Sequence, residues 1–237
     1  MPCHLRSAFR ADLYAFVNRD GNSNTDGYYE VRSLYFDSPN WICLNEKLTG
    51  ETRRFKLRIR AYIRGGRPVA PCKLEVKWRD GERVCKTGCV MNEKAFTSLR
   101  SGTEWTERLN THSKLPSPGL ASFQYLRQRF SMRPVINVQY RREALIPKLE
   151  RDCRITLDED LCAWRARYLD DGTGHRQSLI PRSYSVLEIK CGTHVPFWLD
   201  RLVRKYRLRR QTLSKYAIAV LQCYPGPASC DEWGVLE

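Results

Sequence analysis

The chain has 237 residues, enough for one large domain or two small ones with a sizeable core. Hydrophobic residues make up 42% and charged residues 28%, which excludes an intrinsically disordered chain. The 41 Lys and Arg against 26 Asp and Glu leave a formal net charge of +15. That balance points to polyanionic partners (nucleic acid, phosphates or an anionic membrane surface) without choosing among them.

No apolar run is long enough to span a bilayer, and Met1-Pro2-Cys3-His4-Leu5 lacks the charged-then-apolar pattern of a signal peptide. A soluble, cytoplasmic protein is expected; the sequence is silent on membrane partners. The 10 cysteines are scattered, with no Cys-x-x-Cys pair and no zinc-finger spacing. Cys72, Cys153 and Cys191 fall in predicted strands, where a thiol behaves as a small hydrophobe, so reduced cysteines are expected.

In chain order, Phe9, Leu13, Phe16 and Val17 recur at helical spacing and predict a helix over Ser7 to Val17. A polar loop follows from Asn18 to Gly27. The period then becomes two: Val31 to Phe36, Phe55 to Ile63, Cys72 to Trp78 and Arg83 to Met91 read as strands. Turn chemistry stands at Ser38-Pro39-Asn40, Gly65-Gly66 and Asp80-Gly81, the last a hairpin signal. Asn92 can cap a short helix carrying Ala95, Phe96 and Leu99, and Thr103 to Gly119 reads as a connector. Leu120 to Phe130 is a predicted helix. Strands resume at Val135 to Leu145, Cys153 to Asp158, Ser185 to Lys190 and Tyr216 to Leu221. Pro196 opens an amphipathic helix with Trp198, Leu199, Leu202, Val203 and Tyr206 on its inner face. There is no internal repeat and no clear linker. Residues 1–225 read as one domain and 226–237 as a tail. About eight strands, joined by hairpins and short loops, argue for an α+β class built on an antiparallel sheet that could close into a β-barrel with helices outside, rather than a doubly wound fold.

The charge on these strands is segregated. In Arg54-Phe55-Lys56-Leu57-Arg58-Ile59-Arg60-Ala61, alternation puts every base on one face and every apolar side chain on the other. Lys73-Leu74-Glu75-Val76-Lys77-Trp78 repeats the pattern, as do Arg154-Ile155-Thr156-Leu157-Asp158 and Glu188-Ile189-Lys190. On an ordinary one-sided sheet these charges would be solvated. If the sheet closes, they share an interior that attracts a polyanion, with Glu or Asp left for a cation. Nucleic acid is disfavoured because Phe55 and Trp78 lie on the opposite face, away from any base that would stack. Arg142 is ambiguous: simple alternation groups it with Ile136, Val138 and Tyr140 and puts Arg141 on the polar face, unless a bulge intervenes.

These residues resemble the VTC domain, the polyphosphate-polymerase domain of the CYTH-like triphosphate tunnel superfamily. The resemblance rests on Val31-Arg32-Ser33-Leu34-Tyr35-Phe36-Asp37-Ser38-Pro39, Glu46-Lys47-Leu48-Thr49-Gly50 and Phe55-Lys56-Leu57-Arg58-Ile59-Arg60-Ala61-Tyr62. It continues through Glu75 and Lys77, through Tyr140, Arg142 and Ala144, and through Arg154-Ile155-Thr156-Leu157-Asp158. Leu187-Glu188-Ile189-Lys190 and Ser214-Lys215-Tyr216 close the set, in the family's order from Tyr29 to Val220. The resemblance implies a tunnel in which Arg58, Arg60, Lys77, Arg142, Arg154 and Lys215 act on the phosphates. Arg54, Lys56, Lys73, Lys86, Lys190 and Ser214 would extend the phosphate contacts. Glu188, with Glu75, would hold a divalent metal, Mn²⁺ or Mg²⁺. The family opens with a Glu-x-Lys strand that is expected to be missing here, because the chain enters its first helix almost at once.

The implied reaction passes the γ-phosphoryl group of ATP to the end of a polyphosphate chain. The attacking phosphate oxygen is already anionic, so no base is required. That suits a chain whose His4, His112, His175 and His194 form no triad. A metal-assisted triphosphatase and a non-catalytic polyphosphate-binding module would use the same walls. ATP, triphosphate or polyphosphate are therefore the expected partners. In competition binding, linear tripolyphosphate or polyphosphate is expected to displace single-stranded DNA of equal total charge, with affinity falling as salt rises. DNA winning that competition would restore the nucleic-acid reading.

Overall fold

The computed structural model describes residues 1–21, 23–91, 117–150, 152–172 and 174–224. In chain order these form α1 (Cys3–Tyr14), β1 (Val17–Arg19), β2 (Tyr29–Asp37), α2 (Ile42–Leu48), β3 (Arg53–Arg64), β4 (Arg67–Asp80) and β5 (Arg83–Met91). They continue as α3 (Pro118–Arg129), β6 (Arg133–Pro147), β7 (Arg154–Arg165), β8 (Gln177–Ser178), β9 (Val186–Lys190), α4 (Phe197–Lys205) and α5 (Lys215–Cys223). The nine strands among the described residues form a sheet ordered β5-β4-β3-β2-β6-β7-β8, with β1 on β6 and β9 on β7. The pairs β1–β6, β3–β4, β4–β5, β7–β8 and β7–β9 are antiparallel. This is the α+β, antiparallel class that the strand alternation predicts. The helix expected from Asn92, the connector up to residue 116 and the tail after Pro225 lie outside the described residues. Among the described residues no helix is long and apolar enough to cross a membrane.

The chain divides into two compact units. One comprises Val31–Gln139, Cys162–Leu179 and Ser214–Glu237. In it, Phe55, Leu57, Ile59, Ala61 and Ile63 of β3 are buried in strict alternation, as are Cys72, Leu74 and Val76 of β4. Buried Leu120, Phe123 and Leu126 line one face of α3. Its start is set by Ser117, whose side chain accepts the Leu120 N–H, and by Pro118 in the first turn. Phe36 meets Phe123 edge-on with ring centroids 5.4 Å apart, and Phe55 lies 5.4 Å from Phe130. The β3–β4 register continues to Arg64↔Arg67, so the loop is Gly65-Gly66. Both residues have positive φ, +56° and +76°, as a tight hairpin with native twist requires.

The other unit comprises Met1–Glu30, Tyr140–Leu161 and Ile180–Leu213. Its core joins Phe9 and Leu13 of α1 to Leu199 and Leu202 of α4, with Val17, Leu145, Cys153 and Ile155. The first helix begins earlier than its periodicity implies and stops at Tyr14. Val17 is buried as a strand residue opposite Pro147, while Phe16 turns outward and stacks on Trp198 at 4.7 Å. The expectation of reduced thiols is corrected at one pair: Cys153 and Cys191 are joined by a disulfide. The β7–β9 register explains it, because Arg154 faces Lys190 and the next residue on each strand brings the two cysteines opposite each other.

The predicted strand Tyr216 to Leu221 is a helix, α5. A short, wholly apolar run has no period that separates a buried strand from a buried helix. The cap decides it: Ser214 accepts the Ala217 N–H, and Ala217 and Ala219 favour the helix. Its first turn is fixed to β2 by a buried carboxylate. Asp37 accepts N–H bonds from Ser38, Cys43 and Leu44, at 2.8, 3.0 and 3.2 Å, and the hydroxyl of Tyr216. Burial raises Asp37 above the usual carboxylate range, against the pull of these four donors. Replacing Asp37 with Ala should cost roughly 2–4 kcal/mol in urea unfolding, because buried donors from β2, α2 and α5 lose their acceptor together. A change below about 0.5 kcal/mol would contradict this role.

Candidate functional site

The charged face of β3 is half-buried along its length: Arg54, Lys56, Arg58 and Arg60 are partly covered between fully buried neighbours. Bases that simply pointed into solvent would be exposed, as Lys73, Lys77 and Lys86 are on the next two strands. Strand pairing arranges these residues in rows. Arg54 faces Arg79, Lys56 faces Lys77, Arg58 faces Glu75 and Arg60 faces Lys73. On the far side of β4, Lys77 faces Lys86. Three lysines therefore share one row across three strands, where like charges repel.

Glu75 is the counterweight in this array. It accepts from Arg58 Nε at 2.7 Å through one oxygen and from Arg60 Nη2 at 2.9 Å through the other. Burial would raise its pKa, but Arg58 and Arg60 outweigh burial and hold it below the usual carboxylate range. Arg58 also donates to the Tyr35 hydroxyl at 3.3 Å. The two guanidiniums are thus fixed in direction.

Lys56 is in a different situation. Its Nζ donates to Ser214 Oγ at 2.8 Å and sits 5.2 Å from the centre of the Tyr216 ring. Burial first, then Lys77, Lys47 and Arg54, lower its pKa from 10.5 to about 7. Ser214 and Lys215 lie at the N-terminus of α5, so Lys215 starts a helix and does not lead into the strand that the sequence suggested from Tyr216.

In the other unit, Arg142 lies with Asp158, Glu188 and Tyr140, while Arg141 stacks 3.7 Å from the Tyr28 ring centre. Arg142 donates Nε and Nη2 to the two oxygens of Asp158, at 2.6 and 2.7 Å, and Nη2 is 3.7 Å from Glu188. The second oxygen of Glu188 is 2.8 Å from Lys190 Nζ. Arg154, opposite Lys190, pairs with Asp20 at 2.5 Å and donates to Tyr29 at 3.3 Å.

The two expected metal ligands do not fit a divalent cation in this arrangement. Both oxygens of Glu75 accept from guanidiniums, and Glu188 lies between Lys190 and Arg142. Among the described residues no three His, Cys, Asp or Glu side chains converge. Cations repel a metal and already satisfy the carboxylates it would need.

The sequence reading missed two cations of the β3–β4 face. Arg79 was legible, since it continues the alternation of Lys73 and Lys77. Lys47 was not, because Ile42 to Leu48 carries no marked helical period, yet α2 brings Lys47 close enough to lower its pKa through burial and then through Arg54 and Arg79. Tyr35 and Tyr216 were also missed as site neighbours.

Because Lys56 titrates lower folded than unfolded, its charged form is a cost below about pH 7 that is relieved as pH rises toward the unfolded value of 10.5. A bound phosphate reverses this by favouring the ammonium. Calorimetry of tripolyphosphate binding near about pH 8.5, in buffers of different ionisation enthalpy, should register proton uptake that disappears in Lys56→Met. Equal uptake by the two proteins would remove Lys56 from the binding site.

The VTC domain model matches residues 3–224, nearly the whole chain. No curated protein matches it. Among solved structures, a protein from Bacillus halodurans described as a candidate adenylate cyclase superposes with a TM-score of 0.50 at 10% identity, covering 88% of each chain. A candidate adenylyl cyclase from Hippeastrum, described as having a dominant triphosphatase activity, superposes with a TM-score of 0.52 at 15% identity, covering 92% of this chain and 91% of that one. These likenesses establish a shared fold.

Proposed function

The chain belongs to the VTC domain family, and on that premise we propose that the basic face of β3, β4 and β5 binds a run of phosphates and passes the γ-phosphoryl group of ATP to a polyphosphate chain. One observation carries this reading: Arg54, Lys56, Arg58 and Arg60 are half-buried on a single side of β3, and their partners across the ladder are mostly cations. Such an array repels itself and is relieved by a polyanion.

The chemistry asked of these residues is positioning and charge neutralisation. Arg58 and Arg60, held by Glu75, present fixed donors to phosphate oxygens. Lys56, held by Ser214 and Tyr216, gains its proton as the anion arrives. A phosphate acceptor is already deprotonated and asks nothing more of the protein.

Hydrolysis by water is the second reading, supported by the triphosphatase activity described for the Hippeastrum protein. It asks for a proton acceptor. Glu75, the carboxylate of this face, is kept ionised by two guanidiniums and is poorly suited to take up a proton. That removes Glu75 as the proton acceptor and leaves the choice between phosphate and water to the measurement that follows.

The test is ATP turnover with Mg²⁺ or Mn²⁺, following chain growth and phosphate release together. Chain growth is expected, and Arg58→Ala should lower kcat/KM by about 10- to 100-fold through loss of a charge-assisted phosphate contact. Phosphate release without chain growth would establish the triphosphatase instead. Polyphosphate binding without any turnover would leave a binding module.

A further inference from the structure

From this arrangement we infer that Lys47, Arg54 and Arg79 form an additional anion subsite at the far end of the β3–β4 ladder, which lets the protein select linear phosphate chains longer than a triphosphate. This rests on the phosphate-binding reading above and deepens it by naming the length of the ligand.

The first support is the length of the ladder. The charged face runs from Arg60 to Arg54, six residues along β3. At about 3.4 Å per residue this is about 20 Å, a length that three phosphates cannot fill. A triphosphate held by Arg58, Arg60 and Lys56 leaves the last row, Arg54 facing Arg79, beyond its reach.

The second is the company these cations keep. All three are half-buried. Arg54 donates to the Glu51 carbonyl, and Arg79 Nε donates to the Gly81 carbonyl at 2.7 Å. Among the described residues no carboxylate forms a salt bridge with Lys47, Arg54 or Arg79. The nearby Glu46 carboxylate instead accepts the Phe55 N–H at 3.3 Å, which also fixes α2 against β3 and so places the neighbouring Lys47. Carbonyl contacts orient the two guanidiniums but neutralise nothing.

The third is mutual repulsion. Burial and then the two arginines lower the pKa of Lys47, and burial and then Arg79 lower that of Arg54 against a smaller opposing pull from Glu46. An arrangement held under like-charge strain at one end of a phosphate-binding row is relieved by more phosphates. Lys77, Lys86 and the pair Arg58–Glu75 belong to the middle rows of the face and Lys73 to its opposite end, so the extra subsite has its own residues to test.

The experiment measures affinity for tripolyphosphate and for long-chain inorganic polyphosphate by calorimetry, in wild type, Lys47→Ala, Arg79→Ala, Lys47→Arg and Arg58→Ala. Wild type should bind the long chain more tightly. In Lys47→Ala and in Arg79→Ala, the ratio of long-chain to tripolyphosphate affinity should fall about tenfold, and Lys47→Arg should restore most of it. Arg58→Ala should weaken both ligands and leave the ratio near that of wild type. If Lys47→Ala and Arg79→Ala left the ratio unchanged while Arg58→Ala still weakened both ligands, the subsite would be refuted and the parent reading would stand. If wild type bound neither polyanion, both would fall.

Discussion

Repulsion among the bases of β3 and β4 is the constraint that organises this molecule. A period of two sends Phe55, Leu57 and Ile59 into the core, and the same geometry leaves Arg54, Lys56, Arg58 and Arg60 nowhere to go but the other side. Opposing Arg79, Lys77 and Lys73 to them across the ladder adds to the strain. One carboxylate, Glu75, eases it locally by binding two of the arginines. Elsewhere on the face the protein uses neutral acceptors: a serine hydroxyl for Lys56 and backbone carbonyls for Arg54 and Arg79. Neutral acceptors leave the positive charge in place, and that retained charge is what the proposed phosphate ligand would neutralise.

A second requirement follows. Half-buried cations need neighbours, and at the Lys56 and Arg54 end these include Lys47 of α2 and Ser214 and Tyr216 of α5. The seven-residue α2 is too short to rely on its own packing, whereas α5 also buries Tyr216 to Leu221. Asp37 ties both to the end of β2, taking two N–H groups from the start of α2 and the Tyr216 hydroxyl from α5. Tyr216 then lies beside Lys56 and 5.2 Å from the Tyr35 ring. The carboxylate that secures the fold thus stands one residue contact away from the cation that titrates near neutrality.

Much of this was written in the strand periods. The hairpin of β3 and β4, its Gly65-Gly66 turn and the segregation of its charges follow from alternation and turn chemistry, as does the class of fold. Three features could not be read that way. The run Tyr216 to Leu221 is apolar on every side, so only the Ser214 cap reveals a helix. The disulfide joins residues 38 apart, and it is strand register that aligns them. Lys47 reaches the basic face because of the tertiary position of a short helix with little pattern of its own. Arg142 shows the limit of alternation from the other direction. Grouping it with Ile136, Val138 and Tyr140 was the reading of the pattern, and the structure does place it with Tyr140. The mistake would have been to treat that face as purely apolar, when Asp158 and Glu188 stand on it too.

Ser214 shows how little room such an arrangement leaves for drift. Its single oxygen accepts the Ala217 N–H that starts α5 and also the ammonium of Lys56. Threonine alone offers the same hydroxyl on a similar short arm. Asparagine or aspartate would still cap the helix, but the first enlarges the group beside the lysine and the second adds a charge that would compete with an incoming anion. A position whose helix-capping role tolerates four residue types is thereby narrowed to two, and a change there would be felt in folding and in ligand affinity at once.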